Sequence, residues 1–253
     1  MSLYQSGVRP AIDQFLLDKA KEVRDYGDFW SASSAGYCMR RNIFSRLQIP
    51  PVEEDARKQR VFAVGHIFHE FVQNITKEAG ISIASEERLE DEDLAVRGHY
   101  DDIIEVDGKP ILYDYKSVSS RSFSYKKEDE VGHYHTMQVG TYLYMLNKKG
   151  DFGLIKEGRL LHISKDDLRQ MEQQVLWTKE LAKEVIAYWS AMNDAWATFK
   201  QSGNLPPCTC ADHDGGFLAK EAYNDWHYEG EPCSATWLKM KLKERKQHVN
   251  NNS

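Results

Sequence analysis

Two aspartates and a lysine fall close together in the stretch RGHYDDIIEVDGKPILYDYKSV, residues 97–118. Asp107-Gly108 is a hairpin signal, because a tight two-residue turn needs left-handed backbone that Asp and Gly tolerate. With that turn, Val106 faces Lys109, and counting outward places Asp101 opposite Asp114. Lys116 lies two residues beyond Asp114 and so points to the same face. Like charges directly opposite repel. A divalent cation turns that repulsion into coordination, since Mg²⁺ takes oxygen ligands and keeps several waters. The ion can lower the pKa of a water and stabilise charge on a phosphoryl oxygen, while a nearby ammonium orients the water or steadies the transition state. The chemistry indicated is phosphodiester cleavage. The same spacing also fits exposed strand residues with Lys116 as a salt-bridge partner, and a three-residue loop would shift the register and part the carboxylates.

The flanking sequence must supply the elements that hold these residues. Helical periodicity runs over about 10–25, 37–47 and 53–78, the last with apolar residues spread over a wide face. A short strand is expected at 81–87, with an acidic loop or strand end at 86–93. Strands follow at 95–106 and 110–118, a helix at 133–147 and a strand at 153–163. Ser164 can cap a long helix to about Gln201, with Asp166 and Asp167 suiting its first turn. The segment 203–232 is loop-rich, and the tail HVNNNS is expected to fray. Helices around a small mixed sheet make an α/β (α+β) fold. One domain is expected over 1–253, with its core at about 54–165.

The bulk numbers narrow the class. Net charge is −6, which excludes a basic DNA-coating protein but suits a site that holds cations. No apolar run approaches the roughly 18–20 residues needed to span a bilayer, and the N-terminus lacks the charged start and apolar stretch of a signal peptide. A cytoplasmic protein without a membrane partner is expected. Disulfides are rare there, so the four cysteines call for another explanation.

Further motifs surround the hairpin: Gly65-His66-Ile67-Phe68-His69-Glu70, Gly98-His99-Tyr100-Asp101, Asp114-Tyr115-Lys116 and Gln138-Val139-Gly140-Thr141-Tyr142. In this order they resemble the PD-(D/E)XK nuclease superfamily, in its RecB-like exonuclease branch, which includes CRISPR-associated and phage exonucleases. The resemblance implies a restriction-endonuclease-like core that uses Mg²⁺ or Mn²⁺. It implies that His69, Asp101, Asp114 and the Tyr115 carbonyl bind metal, that Lys116 assists catalysis, and that Gln138 and Tyr142 hold DNA. Taken alone, His69 also fits a core histidine, and His66/His69 a zinc pair, although no H-E-x-x-H is present. Gln138 and Tyr142 also fit a surface pair at i, i+4. Asp102 should face the other side of its strand from Asp101.

Cys38 stands near the N-terminus, with Cys208, Cys210 and Cys233 near the other end. Thiolates suit iron or zinc. The resemblance implies a [4Fe–4S] cluster joining the segments 1–50 and 203–240. The spacing departs from that pattern: Cys208 and Cys210 form C-x-C, and a long gap precedes Cys233. His213 and His227 lie in the gap and could complete a Zn²⁺ site instead; unconnected thiols are the third reading. Arg40 and Arg41 resemble the family's N-terminal segment, where basic side chains meet phosphate. Arg121, Lys126 and Lys127 interleave with Phe123 and Tyr125, a pattern that suits single-stranded DNA or a solvated loop. Lys239, Lys241, Lys243, Arg245 and Lys246 make a basic stretch near the end, either a charged helix end or a duplex or partner contact.

The function expected is a metal-dependent DNA exonuclease acting on single strands or DNA ends, in recombination, repair, or phage or CRISPR DNA processing. Its partners would be DNA and the proteins of such a complex. A non-catalytic DNA-end-binding or assembly subunit with a nuclease fold, and a site-specific endonuclease, are the alternatives.

Overall fold

The hairpin forms in the expected register. In the computed structural model, which describes residues 7–22, 27–212, 219–220 and 224–251 (side chains to 247), β5 (Asp102–Val106) and β6 (Lys109–Val118) pair antiparallel, with Val106 opposite Lys109 and Asp102 opposite Tyr113. Asp107 and Gly108 both take positive φ, 51° and 71°. Two consecutive left-handed residues match the right-handed twist of the strands they join. β6 sits at the centre of a five-stranded sheet of order β2-β5-β6-β7-β8 and is buried from Ile111 to Tyr115. β2 is Ser82–Ser85, β7 Glu157–Ser164 and β8 Gln170–Leu176, and β7 runs parallel to β6.

Helices pack on this sheet. α1 (Val8–Ala20) lies against α3 (Ala56–Glu78), whose first turn is capped by Asp55 accepting from the Lys58 amide at 3.0 Å. α3 sends Val72, Gln73 and Thr76 inward, and a core of Val72, Ile104, Ile111, Tyr113, Tyr115 and Ile163 forms beneath it. α5 (His133–Lys149) and α6 (Lys179–Ser202) build the larger core, where Leu143, Leu146, Leu160, Val185 and Trp189 are buried. α2 (Met39–Arg46) and α7 (Ala235–Asn251) meet in a third core around Phe44, Trp226 and Trp237. α4 (Ser120–Ser124) is a single turn after β6. The α/β (α+β) expectation holds, and no helix among the described residues is long and apolar enough to cross a membrane.

Two expectations need correction. The strand expected over 95–106 is two strands in two sheets. β4 (Val96–His99) joins β1 (Trp30–Ser31) and β3 (Arg88–Asp91) in a three-stranded sheet, and the chain changes sheets at Tyr100-Asp101. The acidic 86–93 region is therefore partly strand, where Asp91 accepts from the Leu94 amide at 2.8 Å and pairs with Lys148 at 2.6 Å. The long helix from Ser164 does not form. β7 turns back through residues 165–169 into β8, and α6 starts later, its Leu181 amide donating to Thr178 Oγ1 at 3.1 Å. β8 escapes a hydrophobic-pattern reading because one of its two buried residues is Gln173, the other being Val175. α7 runs on to Asn251, and residues 252–253 of the tail lie outside the described residues. Residues 23–26, within the first expected helix, lie outside the described residues.

Candidate active site

Asp114 and Lys116 project from β6 on one face, as alternate strand residues must. Asp114 is only 4% exposed. Its Oδ1 accepts from Gln138 Nε2 at 2.9 Å, and Lys116 Nζ lies 2.7 Å from its Oδ2. That ion pair covers the buried Oδ2. Lys116 Nζ also donates to Gln138 Oε1 at 3.1 Å. One α5 amide thus engages both the acid and the ammonium.

Asp101 sits just before β5, where the chain changes sheets. Its Oδ2 accepts from the Tyr115 amide at 2.6 Å, and its Oδ1 lies 3.3 Å from His69 Nδ1 on α3. Gln73, one turn beyond His69, donates to the Asp101 carbonyl at 3.1 Å and to Glu86 at 2.7 Å. Asp102 faces the opposite way and is fully buried. It accepts from Thr76 Oγ1 at 2.7 Å, Ser82 Oγ at 2.6 Å and Tyr115 Oη at 2.9 Å. Satisfied by three hydroxyls, it braces the hairpin beneath the site.

The electrostatics follow from burial and proximity. Burial pushes the Asp114 carboxyl above the usual range; Lys116 opposes this and Asp101 adds to it. Burial works to lower Lys116, but Asp114 and Asp101 outweigh it, so the ammonium is held above its ordinary value. Burial likewise lowers His69, and the hydrogen bond and charge of Asp101 outweigh it, leaving its pKa raised. The charged forms of Lys116 and His69 are thus favoured, while burial and Asp101 work against the charge on Asp114.

Other expected residues fall in varied places. Tyr142 is 4% exposed, and Gly98 lies so near it that an added Cβ would stand 2.8 Å from Tyr142 Oη and 2.9 Å from Ala32 Cβ. That close approach gives the glycine of G-x-x-D a physical reason. Gln138 meets the acid cluster and Tyr142 the core. Arg40 Nε donates to the Pro206 carbonyl at 2.9 Å and ties down the C-terminal segment. Arg41 lies over the Tyr37 ring at 5.0 Å. Arg121 is exposed and Lys126 half-buried. Phe123 is buried with Arg169 over its ring at 4.9 Å, so it is not available to stack on a base, whereas Tyr125 is exposed. In the basic C-terminal stretch, Arg245 donates to the Leu47 carbonyl at 2.6 Å and Lys241 pairs with Glu244 at 2.9 Å.

The four cysteines converge. The Sγ atoms of Cys38, Cys208, Cys210 and Cys233 all lie within 4.8 Å of one another. His227 does not join them, and His213 lies outside the described residues. Sequence reasoning missed Gln73, whose i+4 spacing from His69 was the available signal, and Asn224, whose side chain donates to two of the sulfurs.

The sheet thus brings an acid, an amide-bridged lysine and a second acid next to a helix histidine. The sequence profile of the PD-(D/E)XK nuclease superfamily matches residues 33–211, and the chain belongs to that superfamily. Among solved structures it is similar to SSO0001, with a TM-score of 0.50 and 15% identity over 79% of this chain and 90% of that one. It is also similar to LHK-Exo in complex with dAMP, with a TM-score of 0.40 and 12% identity over 76% of this chain and 98% of that one. No curated protein matches it in sequence.

Proposed function

We propose that this chain is a metal-dependent DNA exonuclease that hydrolyses phosphodiester bonds with Mg²⁺ or Mn²⁺. The observation that carries the reading is the buried Asp114 carboxylate, paired with Lys116 at 2.7 Å and near enough to Asp101 that the second acid's charge pushes its pKa up. Two carboxylates gathered in one buried cluster repel, and an oxygen-seeking cation would relieve that repulsion. His69, Asp101, Asp114 and the Tyr115 carbonyl are the groups that would hold the ion, which supplies Lewis acidity toward a phosphoryl oxygen.

The chain's own residues do the rest. Two carboxylates favour the ammonium form of Lys116 over the opposing effect of burial. Lys116 acts as a hydrogen-bond donor and fixed positive charge, orienting the attacking water and offsetting charge that builds on the phosphate. Gln138 holds it in place through its side-chain oxygen while its nitrogen holds Asp114. Gln73 fixes the Asp101 backbone where the chain leaves one sheet for the other. Arg121, Lys126 and Tyr125, on or just after α4, follow the catalytic strand and are suited to phosphate contact and base stacking.

The test is cleavage of end-labelled single-stranded and duplex DNA by the purified protein with Mn²⁺, Mg²⁺ or EDTA. Metal-dependent release from an end supports the reading, and cleavage of closed circular DNA would make it an endonuclease. Folded protein that binds DNA ends but cuts no DNA form under any metal is instead a binding or assembly subunit.

A further inference from the structure

The four cysteines lie too close together for the cluster that the family resemblance implies. Cys38 Sγ is 3.9 Å from Cys208 Sγ, Cys210 Sγ is 3.6 Å from Cys233 Sγ, and no pair exceeds 4.8 Å. A [4Fe–4S] cluster puts a separate iron behind each thiolate, at different corners of a cube, which forces the sulfurs roughly 6 Å apart. A single zinc at about 2.3 Å from each of four thiolates sets the sulfurs about 3.8 Å apart, the edge of a regular tetrahedron of that radius. The Cys38–Cys208 and Cys210–Cys233 pairs stand within a few tenths of an ångström of that edge.

The surroundings suit thiolates. The Thr209 amide donates to Cys38 Sγ at 3.3 Å, and Asn224 Nδ2 donates to Cys233 Sγ at 3.4 Å and to Cys210 Sγ at 3.6 Å. Asn224 is itself fixed, because its Oδ1 accepts from the Trp226 amide at 3.1 Å. Outer donors of this kind orient ligands and temper their charge. Three of the four cysteines are buried, and the group sits in its own apolar core with Phe44 and Trp226, which limits access to the ion. The C-x-C spacing of Cys208 and Cys210 places two sulfurs on one short loop, compatible with one small ion.

We propose that Cys38, Cys208, Cys210 and Cys233 form a closed structural Zn²⁺ site that staples the start of α2 to the loop-rich segment before α7. Binding displaces the thiol protons and leaves four thiolates on one ion. Zinc has no redox chemistry, so this staple, unlike an iron–sulfur cluster, persists in air.

The site is independent of the nuclease reading, and its test measures metal rather than cleavage. Full-length protein is purified without oxygen from cells grown with added iron, then assayed for zinc, iron and acid-labile sulfide, with X-ray absorption at the zinc edge. The expected result is colourless protein carrying about one zinc per chain with only sulfur in its first shell at about 2.3 Å. Cys210→Ser and Cys233→Ser, where they fold, should each lose most of the zinc. Brown protein with roughly four irons and four sulfides per chain overturns the proposal. So does metal-free native protein whose four thiols all react with a thiol reagent before unfolding.

Discussion

Gln138 on α5 donates its side-chain amide to Asp114 Oδ1 at 2.9 Å on the central strand. The same side chain accepts from Lys116 at 3.1 Å, so one residue sets the geometry between acid and ammonium. Gln138→Ala should lower kcat by about 10- to 100-fold with little change in KM, because misplacing a reacting group costs the chemical step rather than binding. Steady-state kinetics on a labelled oligonucleotide separates the cases. A raised KM with kcat intact would return Gln138 to DNA binding.

Asp102 has no expected part in metal binding, yet it is the better-satisfied of the two adjacent aspartates. Asp102→Ala removes a buried charge but strands the hydroxyls of Thr76, Ser82 and Tyr115. The net loss should be about 2–4 kcal/mol, read as a lower urea midpoint at unchanged m-value.

The hairpin and the long helices were legible because their signals are local. Asp107-Gly108 fixes the turn, the turn fixes the register, and the register sets which aspartate faces the site and which faces the core. What escaped depends on tertiary partners. β8 buries Gln173, which reads as polar surface until one sees its amide donate to the Glu130 carbonyl at 2.8 Å and its oxygen face His162. The sheet change at Tyr100-Asp101 has no marker in sequence, because both halves carry strand-like residues. The hydrogen bond from Arg40 to the Pro206 carbonyl, far along the chain, has no local signal either.

Gly98 should resist substitution. Gly98→Ala sets a methyl group against Tyr142 and Ala32, both in the core, which costs about 1–3 kcal/mol in overpacking. The melting temperature should fall, and cleavage should weaken as Tyr142 shifts beneath Gln138. Unchanged melting would mean the contact relaxes freely.

His162 makes stability sensitive to acid. It is fully buried, and Gln173 Oε1 faces its Nε2 at 2.7 Å because the Gln173 amide nitrogen is held by the Glu130 carbonyl. Nε2 therefore carries the proton, and Nδ1 has no partner. Burial, with Lys126 adding to it, pushes the pKa down to about 4 from 6.5. The unfolded chain thus takes up a proton before the folded one does. Stability is whole above pH 6.5 and is lost as pH falls from there through about 4, by about 3 kcal/mol. The difference in unfolding free energy between wild type and His162→Gln, followed across that window, should shrink toward acid. A constant difference would contradict the buried neutral imidazole.

The central claim is that Asp114 and Lys116 perform phosphodiester hydrolysis, and it is tested most directly by comparing wild type with Asp114→Asn and Lys116→Ala on end-labelled DNA with Mn²⁺, alongside circular dichroism of all three. The account predicts metal-dependent cleavage by wild type and a loss of about 10³-fold or more in each variant, with folding intact. Cleavage at the wild-type rate by both folded variants would contradict it and move the active site elsewhere on the molecule.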